Sequence, residues 1–432
     1  MKTATPLPRN LILSAGAVTA MGCGAIYMWS IFNKPLMDAY GFSTSEVSMA
    51  YSLFLLMSCF SSMIAGWLQQ KMQPRFIVMG AGIMFGVGWF GAGFADNLPL
   101  LFLFFSGFAG AGNGFLYNTI VAVVTKWFPD KRGFANGICI GAMGIGPMLF
   151  APLGNLLIES FNVQTAFQIV GIAWLVIYAG LSWMLYVPKP GWFPTTKRVR
   201  EIEAEEVVAE NTDAPSNNVE ELEGREINIT TRQMFKRPLY YVLFLIMMVS
   251  STSGLMVTGH ASNIGQELAS LTATEGAIMV SVMAFGSFMG RFGFGFLSDF
   301  IGRYNALIIA LAINSVIMLL VLQFANSFIA FLIAITLVGA CFGAAMSIVP
   351  AMVGDAFGSI NFGQNYSFVY PGYTVASFIG PMAAATAVEM MGSYVPSFFV
   401  AGVISLVGIA LVFFGKRLDV KNREELLAEQ QI

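Results

Sequence analysis

One arginine in this chain stands where an arginine is costly. In the stretch GSFMGRFGFGFLSDFIGR, residues 286–303, Arg291 lies among apolar residues with no acid before Asp299. At 1.5 Å per residue from Asp299, it sits roughly 12 Å inside the helix these residues would form. Tyr117 and Tyr373, counted the same way from Trp127 and Gly363, each lie roughly 15 Å deep, which is half of a hydrocarbon core of about 30 Å. Phe342 falls at a similar level. A cation at that depth costs at least about 2.5 kcal/mol even on insertion scales, and Ser287, four residues earlier, brings no charge to offset it. Anion binding would justify the cost. A planar guanidinium gives a carboxylate two parallel hydrogen bonds, which a lysine cannot. Gly290 and Gly293 leave room for a ligand to approach. The structural alternative is an arginine that snorkels or bonds to backbone carbonyls. The single histidine, His260, lies near the outer end of its own helix, as a proton-linked gate or as a hydrogen-bonded interfacial residue.

Composition dictates the elements that hold these groups. Of 432 residues, 56% are hydrophobic and 11% charged, too few charges to cover a soluble surface. Apolar runs of about 20 residues or more, each long enough to span a bilayer, fall near 10–33, 45–69, 76–95, 99–126, 134–158 and 165–187, then 239–263, 274–298, 305–324, 328–353, 363–388 and 395–415. Backbone groups in lipid must satisfy one another within each segment, so every run reads as a helix. The first run is too long for a cleaved leader and reads as a retained span. The fold class is therefore an all-α polytopic membrane protein: a six-helix bundle (1–187), a linker (188–238), a second six-helix bundle (239–415) and a tail (416–432). Of the 22 Lys and Arg, all but Lys34 and Arg291 fall in even-numbered loops, the linker or the ends. That asymmetry predicts both termini cytoplasmic, with the linker a polar tether in the cytoplasm.

The same composition excludes other classes. A net charge of −2 gives no basis for nucleic-acid binding. Cys23, Cys59, Cys139 and Cys341 sit in apolar runs and read as packing residues. No residue cluster calls for a metal or a cofactor, and no constellation reads as an enzyme site. Nor does a charged ring or filter repeat suggest a channel.

The two halves repeat features at an offset of about 230 residues. GWLQQKMQPR with Gly66, Gln70 and Arg75 answers to GFLSDFIGR with Gly295, Asp299 and Arg303, and Gly146-Pro147 answers to Gly380-Pro381. GFLSDFIGR, with Gly295, Asp299, Gly302 and Arg303, resembles the cytoplasmic loop motif of the major facilitator superfamily, a gating latch between spans 2 and 3 and between spans 8 and 9. Gln70 and Gln73 depart from it in the first copy, so only the second latch carries both charges. TKWFPDKRGFANGI, GAIYMWSIF and GQNYSFVYPGYTVASFIG together resemble the oxalate/formate antiporter family, a relative of the monocarboxylate transporters, over essentially the whole chain.

That resemblance implies the major facilitator fold and a substrate site at its midplane. It implies that Tyr27 and Tyr117 face the site, that Tyr370 and Phe342 stand where the family has tryptophans, and that Met346 stands where it has a tyrosine. Ile26 replaces a glutamine. Tyr373 replaces the family's second cation, a lysine, which points from a dianion toward a monoanion. Pro371-Gly372 just before Tyr373 should break the span-11 helix. The monocarboxylate transporters place a proton-linked aspartate where this chain has Ser287. The expectation is a multi-pass plasma-membrane carrier acting as a monomer, exchanging small carboxylates of the lactate, pyruvate or formate class by alternating access. Proton-coupled symport through His260, oxalate/formate exchange and an anion-sensing receptor are the alternatives.

Overall fold

The computed structural model describes residues 8–69, 71–128, 132–188, 229–322, 328–358 and 361–429. Gln70 and most of the linker, residues 189–228, lie outside them. Twelve helices among the described residues are long and apolar enough to cross a membrane. Spans 1 to 6 are Arg9–Met28, Thr44–Leu68, Pro74–Ala92, Leu98–Val124, Gly137–Ser160 and Val163–Ser182. Spans 7 to 12 are Pro238–Leu268, Ala273–Ile301, Arg303–Val321, Phe328–Phe357, Gln364–Met391 and Val395–Leu426. Every expected span is present, displaced by up to about five residues at its ends except for span 12, which continues well past residue 415. Twelve crossings return both ends of the chain to one face, the termini face. The opposite side is the far face.

Local chemistry sets the boundaries. Pro74 and Pro238 start spans 3 and 7, where a missing N–H costs nothing. Spans 2 and 8 start at the far face with matching capping boxes, Ser43 with Glu46 and Thr272 with Glu275. Two spans are broken at mid-depth. Span 1 tightens into a 3₁₀ turn over Gly24–Met28 before a further helix, Ser30–Tyr40. Span 11 is interrupted at Tyr370, between helices Phe362–Val369 and Pro371–Met391, where Pro371 cannot extend the helix before it. Both breaks carry tyrosines that the sequence singles out as candidate site residues, Tyr27 and Tyr370.

The halves are packed differently. The first has an aromatic core: Trp29 stacks on Phe105 at 4.0 Å, and Phe32 on Phe167 at 4.5 Å. In the second half, Asn314 donates to Ser253 and Ser405, tying spans 7, 9 and 12. The end of the linker is also docked. Ile229 donates its N–H to Phe357 O and its carbonyl accepts from Asn361 and Asn365, at the termini ends of spans 10 and 11. The last helix, Val395–Glu429, runs for 35 residues without a break at residue 415.

Candidate functional site

Arg291 faces the boundary between the halves. It is 8% exposed, and its Nη1 donates to Ile140 O of span 5, in the opposite half, at 2.7 Å. The sequence left it without a partner inside the protein, and the structure corrects that: a backbone carbonyl accepts one of its N–H groups. That carbonyl is neutral, so the positive charge stays uncompensated. Its Nε is buried with no partner. One turn farther from the termini face, Ser287 is 6% exposed and its Oγ is also buried without a partner.

The space beside the guanidinium has a different source from the expected one. Gly290 is pressed against the Ala340 carbonyl of span 10, so a side chain there would collide with backbone. Gly293 has nothing within 4 Å. The clearance comes from Gly144 of span 5, where an added Cβ would sit 3.1 Å from Arg291 Nη1.

A small cavity opens between the halves at this level. Arg291, Tyr27 and Phe342 line it, joined by Ser287, Gly144 and Pro147, and it extends past Ala284 toward Val280. Arg291 is the one charged group on its wall among the described residues. Tyr373 and Tyr370 stand behind that wall. Tyr27 and Tyr373 share a hydrogen bond of 3.0 Å across the halves, and Phe342 packs edge-on to Tyr27 and stacks on Tyr373. Tyr370 stacks on Tyr373 at 5.3 Å. Tyr117 is half-buried off the wall, near enough to Arg291 to feel its charge. Met346, one turn past Phe342, is half-buried and also off the wall.

Among the described residues, the hydrogen bonds that join the halves concentrate toward the far face. Asn33 donates to Gly259 O, Ser52 to Ser377 O, and Ser281 to Met148 O. His260 is fully buried in this seam. Its Nε2 lies 3.0 Å from Ser48 Oγ of the first half and 3.1 Å from Pro381 O, and its Nδ1 lies 3.2 Å from the Tyr394 hydroxyl. A carbonyl can only accept, so Nε2 carries a proton. At the rim two carboxylates meet helix starts of the opposite half. Glu389 accepts from the N–H and hydroxyl of Ser45, and Glu159 accepts from the Thr274 hydroxyl. These pairs repeat at an offset of about 230 residues, like the capping boxes beside them.

At the termini face the loop motif is assembled within one half. Arg303 pairs with Asp299, reaches Asp355 at the end of span 10 at 3.2 Å, and donates to Ser298 Oγ. Gly302 has φ of 87°, a conformation that side chains resist, which makes the turn possible. Gly295 has only Ser347 beside it.

Sequence reasoning did not select Ser287, Gly144 or Ala284 as site residues. Ser287 had a signal, its i, i+4 spacing from Arg291, which puts both on one helix face.

Comparisons with known proteins agree with this architecture. The family model described as Major Facilitator Superfamily matches residues 13–265 and 247–431. The chain is 29% identical over 370 residues to an uncharacterized MFS-type transporter of Escherichia coli (strain K12), YhjX, spanning 85% of this chain and 86% of that one. It is 26% identical over 406 residues to the oxalate:formate antiporter of Oxalobacter formigenes, spanning 93% and 90%. With monocarboxylate transporter 12 of Rattus norvegicus it shares 22% over 399 residues, spanning 90% and 81%. A crystal structure of a bacterial homologue of the human lysosomal transporter Spinster, inward-facing and unoccupied, superposes with a TM-score of 0.68 at 18% identity, covering 97% of this chain and 99% of that one.

Proposed function

This chain belongs to the major facilitator superfamily, and from that premise we propose that it carries short monocarboxylates across the membrane by alternating access, exchanging one anion for another. The observation that carries the proposal is Arg291. It is a buried cation at the boundary of the halves, with an unpartnered Nε, the unpartnered Ser287 hydroxyl one helical turn away and, among the described residues, no acid on the cavity wall. A bound carboxylate would supply both the missing acceptor and the missing negative charge.

The family names of the relatives leave a choice between a dianion and a monoanion. One guanidinium with tyrosyl and seryl hydroxyls favours the monoanion, because a dianion would keep one unneutralised charge in a low-dielectric site. Charge asymmetry supports a cytoplasmic termini face. In that orientation the far-face seam closes the outside. Rocking of one half on the other would open the seam and close the termini face around the same site. The empty carrier must carry an uncompensated cation through that motion. A loaded one does not, which favours exchange over net flux.

Counterflow of labelled lactate, pyruvate, formate, acetate and oxalate by purified protein in proteoliposomes tests the proposal. Arg291→Lys should impair uptake and Arg291→Ala abolish it, and normal uptake by the alanine variant would sink the assignment. Counterflow also separates a carrier from a receptor that binds without moving its ligand. His260 supports a second reading, proton-coupled symport, because its bonds reach both halves. That reading requires a pH gradient to drive accumulation and His260→Gln to remove the drive.

A further inference from the structure

Resting on the carboxylate reading of this site, we infer a fixed orientation for the ligand: its carboxylate sits on Arg291 and Ser287, and its carbon chain points away from the termini face along Ala284. Val280, Met283, Ala284, Ser287 and Arg291 all line the cavity and fall on one face of span 8. From Arg291 to Val280 this face climbs roughly 16 Å toward the far face. The polar valences are at one end only. Ser287 Oγ and Arg291 Nε are buried and unpartnered. At the other end Thr258 already donates to Gly254 O at 2.7 Å, with Met283 Sδ 3.8 Å away. The Ser281 hydroxyl on the same helix is engaged by Met148 O and Ala277 O. What remains free there is apolar surface, from Ala284, Val280, Ala261 and Pro147.

The cavity is small. Such a space takes a short carbon chain beyond the carboxylate. Ala284, one turn from Ser287 on the cavity face, is the residue whose size sets the limit. The ligand class is thus a monocarboxylate with a tail of one to a few carbons, and Ala284 is its length-determining residue.

The test uses the full chain in proteoliposomes, with formate, acetate, propionate and butyrate competing for carboxylate counterflow. Ala284→Val should leave formate and acetate within about threefold and weaken butyrate at least about tenfold, the scale of a methylene misfit in an apolar pocket. Ala284→Gly, a second variant should the valine fail to fold, should improve butyrate relative to formate. Ser287→Ala should weaken all four alike, by about three- to tenfold, as one lost hydrogen bond would. If Arg291-dependent competition persists but neither Ala284 variant alters the chain-length profile, the orientation is overturned while the carrier reading stands. If no carboxylate competes in an Arg291-dependent way, the reading beneath it falls as well.

Discussion

Span 8 meets two of its neighbours in different ways. Against span 10, in its own half, the contact is backbone on backbone: Gly286 and Gly290 press on the carbonyls of Thr336 and Ala340, and Gly339 and Gly343 press back on those of Met283 and Ser287. Against span 5, in the other half, glycine meets side chains: Gly141 faces the rings of Phe288 and Phe292, and Gly144 faces the Arg291 guanidinium. Interlocked backbones have no slack, because neither helix can shift without collision. Side chains over a glycine surface can change rotamer and slide. The difference separates scaffold from bearing: in the proposed rocking motion spans 8 and 10 would move as one body, and span 5 is what they would move across.

Three variants test that division. The largest effect belongs to the locked contact. Gly290→Val should cost about 3 kcal/mol or more through overpacking against Ala340 and remove monodisperse protein from size-exclusion profiles. A well-folded valine variant with unchanged Tm would break the comparison. Next comes the seam that holds the sliding contact in its present position. Replacing Glu159 and Glu389 together by alanine removes both rim carboxylates and should open the far face about tenfold more often. A cysteine placed at Ala261, otherwise behind the seam, should react with an impermeant maleimide faster by the same factor. An unchanged labelling rate would mean that the carboxylates do not hold the seam. Smallest is Gly144→Ala, whose one tight contact is with the end of a flexible side chain. Its Tm should stay within about 2 °C of the parent, while KM for the transported anion rises about threefold as the guanidinium is pushed aside. A large loss of stability would place span 5 in the scaffold.

Most of the fold was legible because bilayer thickness and backbone satisfaction leave a long apolar run few alternatives. The span-11 break was legible from Pro371. The tight turn of span 1 was not, since Gly24–Met28 contains no proline and breaks for tertiary reasons, with Gly24 lying against the Met143 carbonyl. In the site, the depth of Arg291 could be counted. Its partner could not, because a backbone acceptor such as Ile140 O has no side-chain signature. Ser287 was easy to pass over, since span serines commonly bond to their own helix, as Ser250 does to Ile246 O. Glu159 and Glu389 looked like ordinary charges at span ends. Only their spatial meeting with Thr274 and Ser45 shows what they join.

The 35-residue final helix is about 52 Å long, well beyond a hydrocarbon core of about 30 Å. Its excess length projects from the termini face with Lys416, Arg417, Lys421 and Arg423 exposed, followed by Glu424 and Glu425, the latter paired with Lys421 and with Arg237 at the start of span 7. An anionic leaflet would attract each such basic group by about 1 kcal/mol. The second half of the molecule therefore ends in a collar of positive charge that is tied back, through Glu425 and Arg237, to the start of span 7 in the same half.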